Sequence, residues 1–257
     1  MYVALPLIIF TFSLPWLLDT PPSSVLPPLP ATLLTNMSFN PYGSSSGGST
    51  LAIAGKDFVV LAGDTRHSTD YNIDSRCETQ IFALGDDLYM SANGFSADTR
   101  ALIDDVRVQI KWYHHKFNRK MSVNTCARSL MHSLYNKRFF PYYVNPILIG
   151  IAPDGTGAVY SFDPVGSYER ESSRAGGHAS SLLVPFLDSQ VKRANQVDPA
   201  TGEPLKPHQL SAEVAINLVK DAFTGAAERQ IQVGDTLEIA LLTANGVERH
   251  TYPLRKD

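Results

Sequence analysis

Residues 47–66 read Gly-Gly-Ser-Thr-Leu-Ala-Ile-Ala-Gly-Lys-Asp-Phe-Val-Val-Leu-Ala-Gly-Asp-Thr-Arg, and no other stretch limits the possible folds as tightly. Ser49 to Ala54 is short, small, apolar and free of proline. Phe58 to Ala62 is an unbroken apolar run. Gly55, Lys56 and Asp57 between them supply turn chemistry, because glycine accepts positive φ at little cost. Two short runs across such a connection form a β-hairpin. A run as apolar as 58–62 predicts a strand covered on both faces. A buried hairpin in an α/β domain satisfies these features by itself.

The remaining chain alternates in a regular order. Gln80 to Leu84 and Leu88 to Ala92 flank Gly85-Asp86-Asp87 and predict a second hairpin. Leu102, Ile103, Val106, Ile110, Tyr113 and Phe117 recur at helical spacing over 97–118, and Asp98 is placed to favour the helix dipole. Cys126, Leu130, Met131 and Leu134 mark a second helix over 122–137, with Ser122 as its cap. Strands are expected at 147–152, 157–162 and 167–172, and then a helix at 179–191. A loop rich in Pro, Asp and Gly at 195–207 precedes a helix at 211–229. Strands at 236–243 and 247–252 meet through Ala244-Asn245-Gly246, and Asn-Gly is a strong hairpin signal. Strands and helices alternating in this way predict an α+β fold: a four-layer αββα sandwich of two antiparallel sheets with helices outside.

The first hairpin and the Asp64-Thr65-Arg66 after it resemble the proteasome beta subunits, which carry the N-terminal nucleophile hydrolase fold. In catalytic members of that family a pro-segment is cut after a glycine. The threonine so exposed attacks the peptide while its own α-amino group helps take the proton. The resemblance puts Gly48 at the threonine position, and glycine offers no hydroxyl. Ser49 is one residue on and points to the opposite face of the strand. Thr50 restores the face but lies about 6.6 Å away at roughly 3.3 Å per residue, and catalytic geometry tolerates about 0.5 Å. The family lysine position is Gln80, a neutral amide that cannot favour a deprotonated nucleophile. Asp64 matches the family aspartate, and Asp221 in Lys220-Asp221-Ala222-Phe223-Thr224-Gly225 matches its second aspartate. Both are expected to persist as structural remnants bonded to nearby loops. The expected loop serine is replaced by His178, and Gly94 matches the glycine whose N–H forms the oxyanion hole in active members. In this chain Gly94 is expected only to permit a tight turn.

Longer strings narrow the resemblance to the non-catalytic beta type-1 branch, the sixth position of the beta ring. They are residues 138–144, 157–168, 226–229 and 254–257. The resemblance runs from Phe39 to the last residue, which makes 39–257 a proteasome beta-type domain. It implies a structural subunit that contacts other beta subunits in a heptameric ring, the alpha ring and the opposite beta ring. It also implies no catalytic residue, no cofactor, no metal, and residence in cytoplasm and nucleus. The aromatic segment 139–143 is one candidate contact, although core burial would explain it equally well. Two other functions stay open: an active peptidase using Ser49 or Thr50 after cleavage near Gly48, and a secreted or membrane-linked binding domain.

Composition fits a soluble globular domain, with 44% hydrophobic and 18% charged residues. The net charge of −3 gives nucleic-acid binding no electrostatic support. The locally basic 111–120 reads as the solvated end of an amphipathic helix. Cys77 and Cys126 show no metal-ligand spacing and read as cytosolic thiols. Residues 1–38 are discordant. Tyr2 to Leu18 is apolar but lacks a basic start and a clear cleavage site for a signal peptide. Pro6 and Pro15 weaken it as a membrane span. Residues 21–30 are proline-rich, and Asn36-Met37-Ser38 matches a glycosylation sequon. The segment is read as a dispensable extension or pro-segment, disordered or arising from a misassigned start.

Overall fold

The computed structural model describes residues 47–257 apart from Asp70, Ala194 and Pro204. The expectations for Tyr2–Leu18, for 21–30 and for Asn36 lie outside the described residues. Among the described residues no helix is long and apolar enough to cross a membrane.

Strand β1 (Ser49–Ala54) turns through Gly55–Asp57 into β2 (Phe58–Asp64). Two short strands follow, β3 (His67–Thr69) and β4 (Asn72–Ser75), and pair only with each other. The hairpin of β5 (Phe82–Ala83) and β6 (Leu88–Gly94) leads into helices α1 (Ser96–Phe117) and α2 (Val123–Tyr135). The Ser122 hydroxyl caps α2 by accepting the Thr125 N–H at 3.3 Å. Next come β7 (Val144–Ile151), β8 (Gly157–Phe162), β9 (Tyr168–Glu171) and β10 (Ser173–Gly177). Helix α3 (Ser180–Leu187) and a π-helical turn (Asp188–Lys192) precede α4 (Ala212–Arg229), capped by Ser211. Strands β11 (Thr236–Thr243) and β12 (Gly246–Pro253) end the fold.

One five-stranded sheet has the order β10-β1-β2-β11-β12, the other β5-β6-β7-β8-β9, and all pairings are antiparallel. Side-chain alternation explains the layers, since successive residues of a strand point to opposite faces. Phe58, Val60 and Ala62 of β2 join Leu51, Ile53, Leu237 and Ile239 in a core under α3 and α4. The intervening Val59 and Leu61 join Ala52, Ile147, Ile149, Val159, Ala240 and Leu242 in a core between the two sheets. Met90 and Leu148 pack with Leu102, Ile103, Leu130 and Leu134 under α1 and α2. Three apolar layers between four structural layers make the αββα sandwich. Strand β2 is buried along its whole length, as its apolar run requires.

The structure departs from the sequence reading in places with physical causes. The single strand expected at 167–172 is two: β9 pairs with β8 in one sheet, and after Ser172 the chain crosses to pair β10 with β1 in the other. The Ala54 N–H donates to the Ser172 carbonyl at 2.8 Å at this crossing. Strand β7 starts at Val144 and runs through Pro146, which pairs with Ala92 of β6. Pairing of β7 with β8 begins only at Ile147, so Pro146 sits where the strand has one neighbour and tolerates a missing N–H. The helix expected over 179–191 changes to π geometry after Leu187, close behind the helix-breaking Pro185.

Leu130 is fully buried between the helices and the second sheet. Leu130→Ala is expected to lower unfolding free energy by about 2–5 kcal/mol, measured by urea denaturation.

Candidate functional site

Strands β1 and β2 bring Gly48, Ser49 and Asp64 to one end of the first sheet. Ser49 is β1's first residue, and Gly48 precedes it, buried. Asp64 ends β2 with no exposed surface. Its Oδ1 accepts the Ser49 N–H at 2.7 Å and its Oδ2 accepts the Gly234 N–H at 3.2 Å. A Cβ built on Gly48 would stand 2.5 Å from Asp64 Oδ1 and 3.0 Å from Gln80 Cγ. Position 48 therefore lacks a hydroxyl, and a side chain there would force the bonded Asp64 carboxylate to shift.

Both neighbouring hydroxyls are engaged in hydrogen bonds. Ser49 and Thr50 are fully buried. Ser49 Oγ accepts the Ala179 N–H at 2.9 Å, on the helix side of the sheet. Thr50 Oγ1 accepts from Asn93 Nδ2 at 2.6 Å and from Ser91 Oγ at 3.2 Å, between the sheets. Both residues lie in the ladder with β10, Ser49 opposite Gly177 and Thr50 opposite Gly176, and Thr50 also pairs with Gly63 of β2.

Gln80 is buried beside Asp64 and brings no charge. Burial raises the Asp64 carboxyl to about 7 from the ordinary 3.8, against the lowering effect of the two N–H donors and of Arg66. Gly94 ends β6 with φ +133°, and a Cβ there would stand 2.3 Å from the Tyr143 carbonyl oxygen. Only glycine fits both the conformation and the space. Gly47 packs directly on it: a Cβ on Gly47 would lie 3.2 Å from the Gly94 nitrogen. His178, in the loop between β10 and α3, is half-buried and lines an open cavity of about 690 Å³ with Gly47, Gly48 and Gly94. Burial, and then the nearby His67 imidazole, hold its pKa below the usual value, so it is neutral at neutral pH.

Asp221 is not part of this cluster. It is exposed on α4, and no hydrogen bond or ion pair joins its side chain to another described residue. The expectation that it bonds a nearby loop is corrected: its helical position turns it to solvent. The acid that holds the loops is Asp235, which the sequence reading missed. Arg66 Nε donates to Asp235 Oδ2 at 2.8 Å with both side chains buried, and Arg66 Nη1 donates to the Ile231 carbonyl at 2.7 Å. Arg76 Nη1 reaches Asp235 Oδ1 at 2.6 Å and the Lys256 carbonyl at 2.9 Å. Burial opposes ionisation of Asp235, but the bonds from Arg66 and Arg76 prevail and hold its pKa below the ordinary carboxylate value. The available signal was Gly234-Asp235 just before β11, a turn dipeptide on the far side of the chain from Arg66.

The family model described as "Proteasome subunit" matches residues 44–242. Proteasome subunit beta type-6 of Saccharomyces cerevisiae is 57% identical over 222 residues, covering 85% of this chain and 92% of that protein. A probable proteasome subunit beta type-6 of Schizosaccharomyces pombe is 47% identical over 226 residues, covering 87% of this chain and 100% of that protein. Proteasome subunit beta type-1-B of Carassius auratus is 43% identical over 219 residues, covering 85% and 90%. Among the described residues no cluster of three or more His, Cys, Asp or Glu is arranged to hold a metal ion.

The buried acids generate two expectations. Asp64 binds its proton more tightly in the folded chain than in the unfolded one. Its contribution to stability is therefore complete below about pH 3.8 and is lost as pH rises through about 7. Asp64→Asn is expected to flatten the stability–pH curve between those values, by at most about 1.4 kcal/mol per pH unit; denaturant titrations at several pH values read this. Asp235→Ala leaves the Arg66 guanidinium buried without its acid and is expected to cost about 3–5 kcal/mol, read by thermal or urea unfolding.

Proposed function

This chain belongs to the proteasome subunit family, and from that premise we propose that it is a non-catalytic structural subunit of the beta ring. Assembly with other proteasome subunits follows from the family. The finer reading is ours: a place in a heptameric beta ring between two beta neighbours, against the alpha ring and the opposite beta ring, in cytoplasm and nucleus. The ring would enclose the chamber for ATP- and ubiquitin-dependent degradation. The likeness to beta type-6 and type-1 proteins over most of both chains supports it.

One observation carries the non-catalytic part. The place of the nucleophile holds a glycine whose missing side chain would collide with Asp64 Oδ1 at 2.5 Å. A nucleophile needs a hydroxyl within reach of a base and open to substrate. Gly48 has none, and the hydroxyls of Ser49 and Thr50 are buried in hydrogen bonds. The nearby cation that would favour a deprotonated nucleophile is replaced by Gln80. Overpacking at such a point costs about 1–3 kcal/mol.

Purification of the tagged full-length chain from its source cells is expected to yield a high-mass particle containing other proteasome subunits; recovery of the monomer alone would refute the assignment. A peptidyl epoxyketone that labels catalytic subunits of the same particle is expected to leave this chain unmodified by intact mass. Gly48→Thr is expected to destabilise the chain and to generate no peptidase activity.

A further inference from the structure

We propose that the aromatic turn after α2, centred on Phe139, plugs into another proteasome subunit, at an apolar pocket rimmed by carboxylates. This rests on the reading of the chain as an assembling subunit and names one of its contact surfaces. Burial of 139–143 in the core is not what the fold does. Phe139 is 93% exposed, Phe140 69%, Tyr135 57% and Tyr143 50%. Tyr142 alone of these turns inward and packs against the core under α1 and α2. A phenylalanine left in water forgoes the burial of apolar surface that a partner could supply. Contiguous exposed aromatics on a folded chain mark interaction surfaces.

The turn is fixed rather than loose. Past Tyr135 a run of backbone bonds continues: Asn136 N to His132 O at 3.0 Å, Lys137 N to Leu134 O at 3.0 Å, Arg138 N to Tyr135 O at 3.0 Å, and Phe140 N to Lys137 O at 2.9 Å. At the far end the Tyr143 N–H donates to Asp98 Oδ2 at 2.9 Å, and the Tyr143 carbonyl accepts the Phe95 N–H at 2.9 Å. Phe139 is thus presented at a set position, and little ordering entropy remains to be lost on docking.

The charges give the partner's chemistry. Arg138 Cζ lies 5.1 Å from the Phe139 ring centroid and Lys137 Nζ lies 5.7 Å from that of Tyr142. No carboxylate among the described residues forms an ion pair with either cation. A guanidinium beside a ring keeps N–H donors free in its own plane, a geometry that suits a carboxylate in two-pronged contact. Aromatic and arginine side chains at the centre of a contact carry much of its energy. An apolar socket with acidic edges satisfies both sets of groups, and a basic or wholly apolar surface does not.

The test uses the tagged full-length chain expressed in its source cells, with a benzophenone amino acid in place of Phe139. Irradiation is expected to join position 139 to a different proteasome subunit, in a peptide that contains Asp or Glu. The double substitution Arg138→Glu with Phe139→Ala is expected to lower the particle-bound fraction about tenfold or more. Both sites are on the surface, so its thermal midpoint should match that of the unaltered chain. Crosslinks confined to this chain or to a second copy of it overturn the proposal, as does a double variant that enters the particle as fully as the unaltered chain. An unaltered chain that never enters the particle overturns the assembly reading itself, and this surface with it.

Discussion

Asp64 is a carboxylate with no exposed surface, and it accepts N–H groups from two separated parts of the chain. One is Ser49, where β1 begins; the other is Gly234, in the turn that launches β11. The strands flanking β2 in its sheet are thereby fastened near its end. A buried carboxylate is costly unless it is well bonded, and the nearest guanidinium, Arg66, gives its N–H groups to Asp235 and to the Ile231 carbonyl instead. Two backbone donors do not fully offset the loss of water, so the carboxyl titrates near neutrality. The same oxygen that accepts the Ser49 N–H fills the space next to Gly48. Asp64 thus organises the sheet end and crowds position 48, where a side chain would have to displace its carboxylate.

A second buried group extends this organisation to the chain's C-terminal end. Asp235 sits at φ +68°, a conformation aspartate tolerates better than most residues. Its backbone N–H donates to the Arg255 carbonyl and its own carbonyl accepts from Leu254, while its side chain holds Arg66 and Arg76. Breaking such a pair from one side leaves the other charge stranded. The polar end of the first sheet therefore works as a clamp. The contrast with the surface is functional: the interior positions are closed by bonds and by space, while bulky aromatic surface at the end of α2 is left in water. That division suits a subunit whose contribution lies in its contacts.

Much of the layering was legible because it depends on local periodicity. The apolar run 58–62 demanded cover on both faces, and β2 has it, with alternate residues feeding two different cores. The helical stripes of α1 and α2 and the cap Ser122 lie where the pattern put them, and α4 falls within the stretch expected to be a helix. Strands without an apolar pattern were missed. His67–Thr69, Asn72–Ser75 and Ser173–Gly177 are short and polar or glycine-rich, and they exist because a neighbouring strand supplies the ladder. No local signal separates Glu171 from Ser173, although the chain changes sheets there.

The sequence alone determined what chemistry each position offers: no hydroxyl at Gly48, no charge at Gln80, an acid at Asp64. It also determined the order of those strands and helices that carry an apolar pattern, because burial periodicity is written residue by residue. Only the tertiary structure decided which acid holds the loops, since Asp221 and Asp235 are equally acidic on paper and differ in where the fold points them. It likewise decided that Phe139 faces water while Tyr142 faces the core. Exposure and partnership depend on residues distant in the chain, and local pattern carries no record of them.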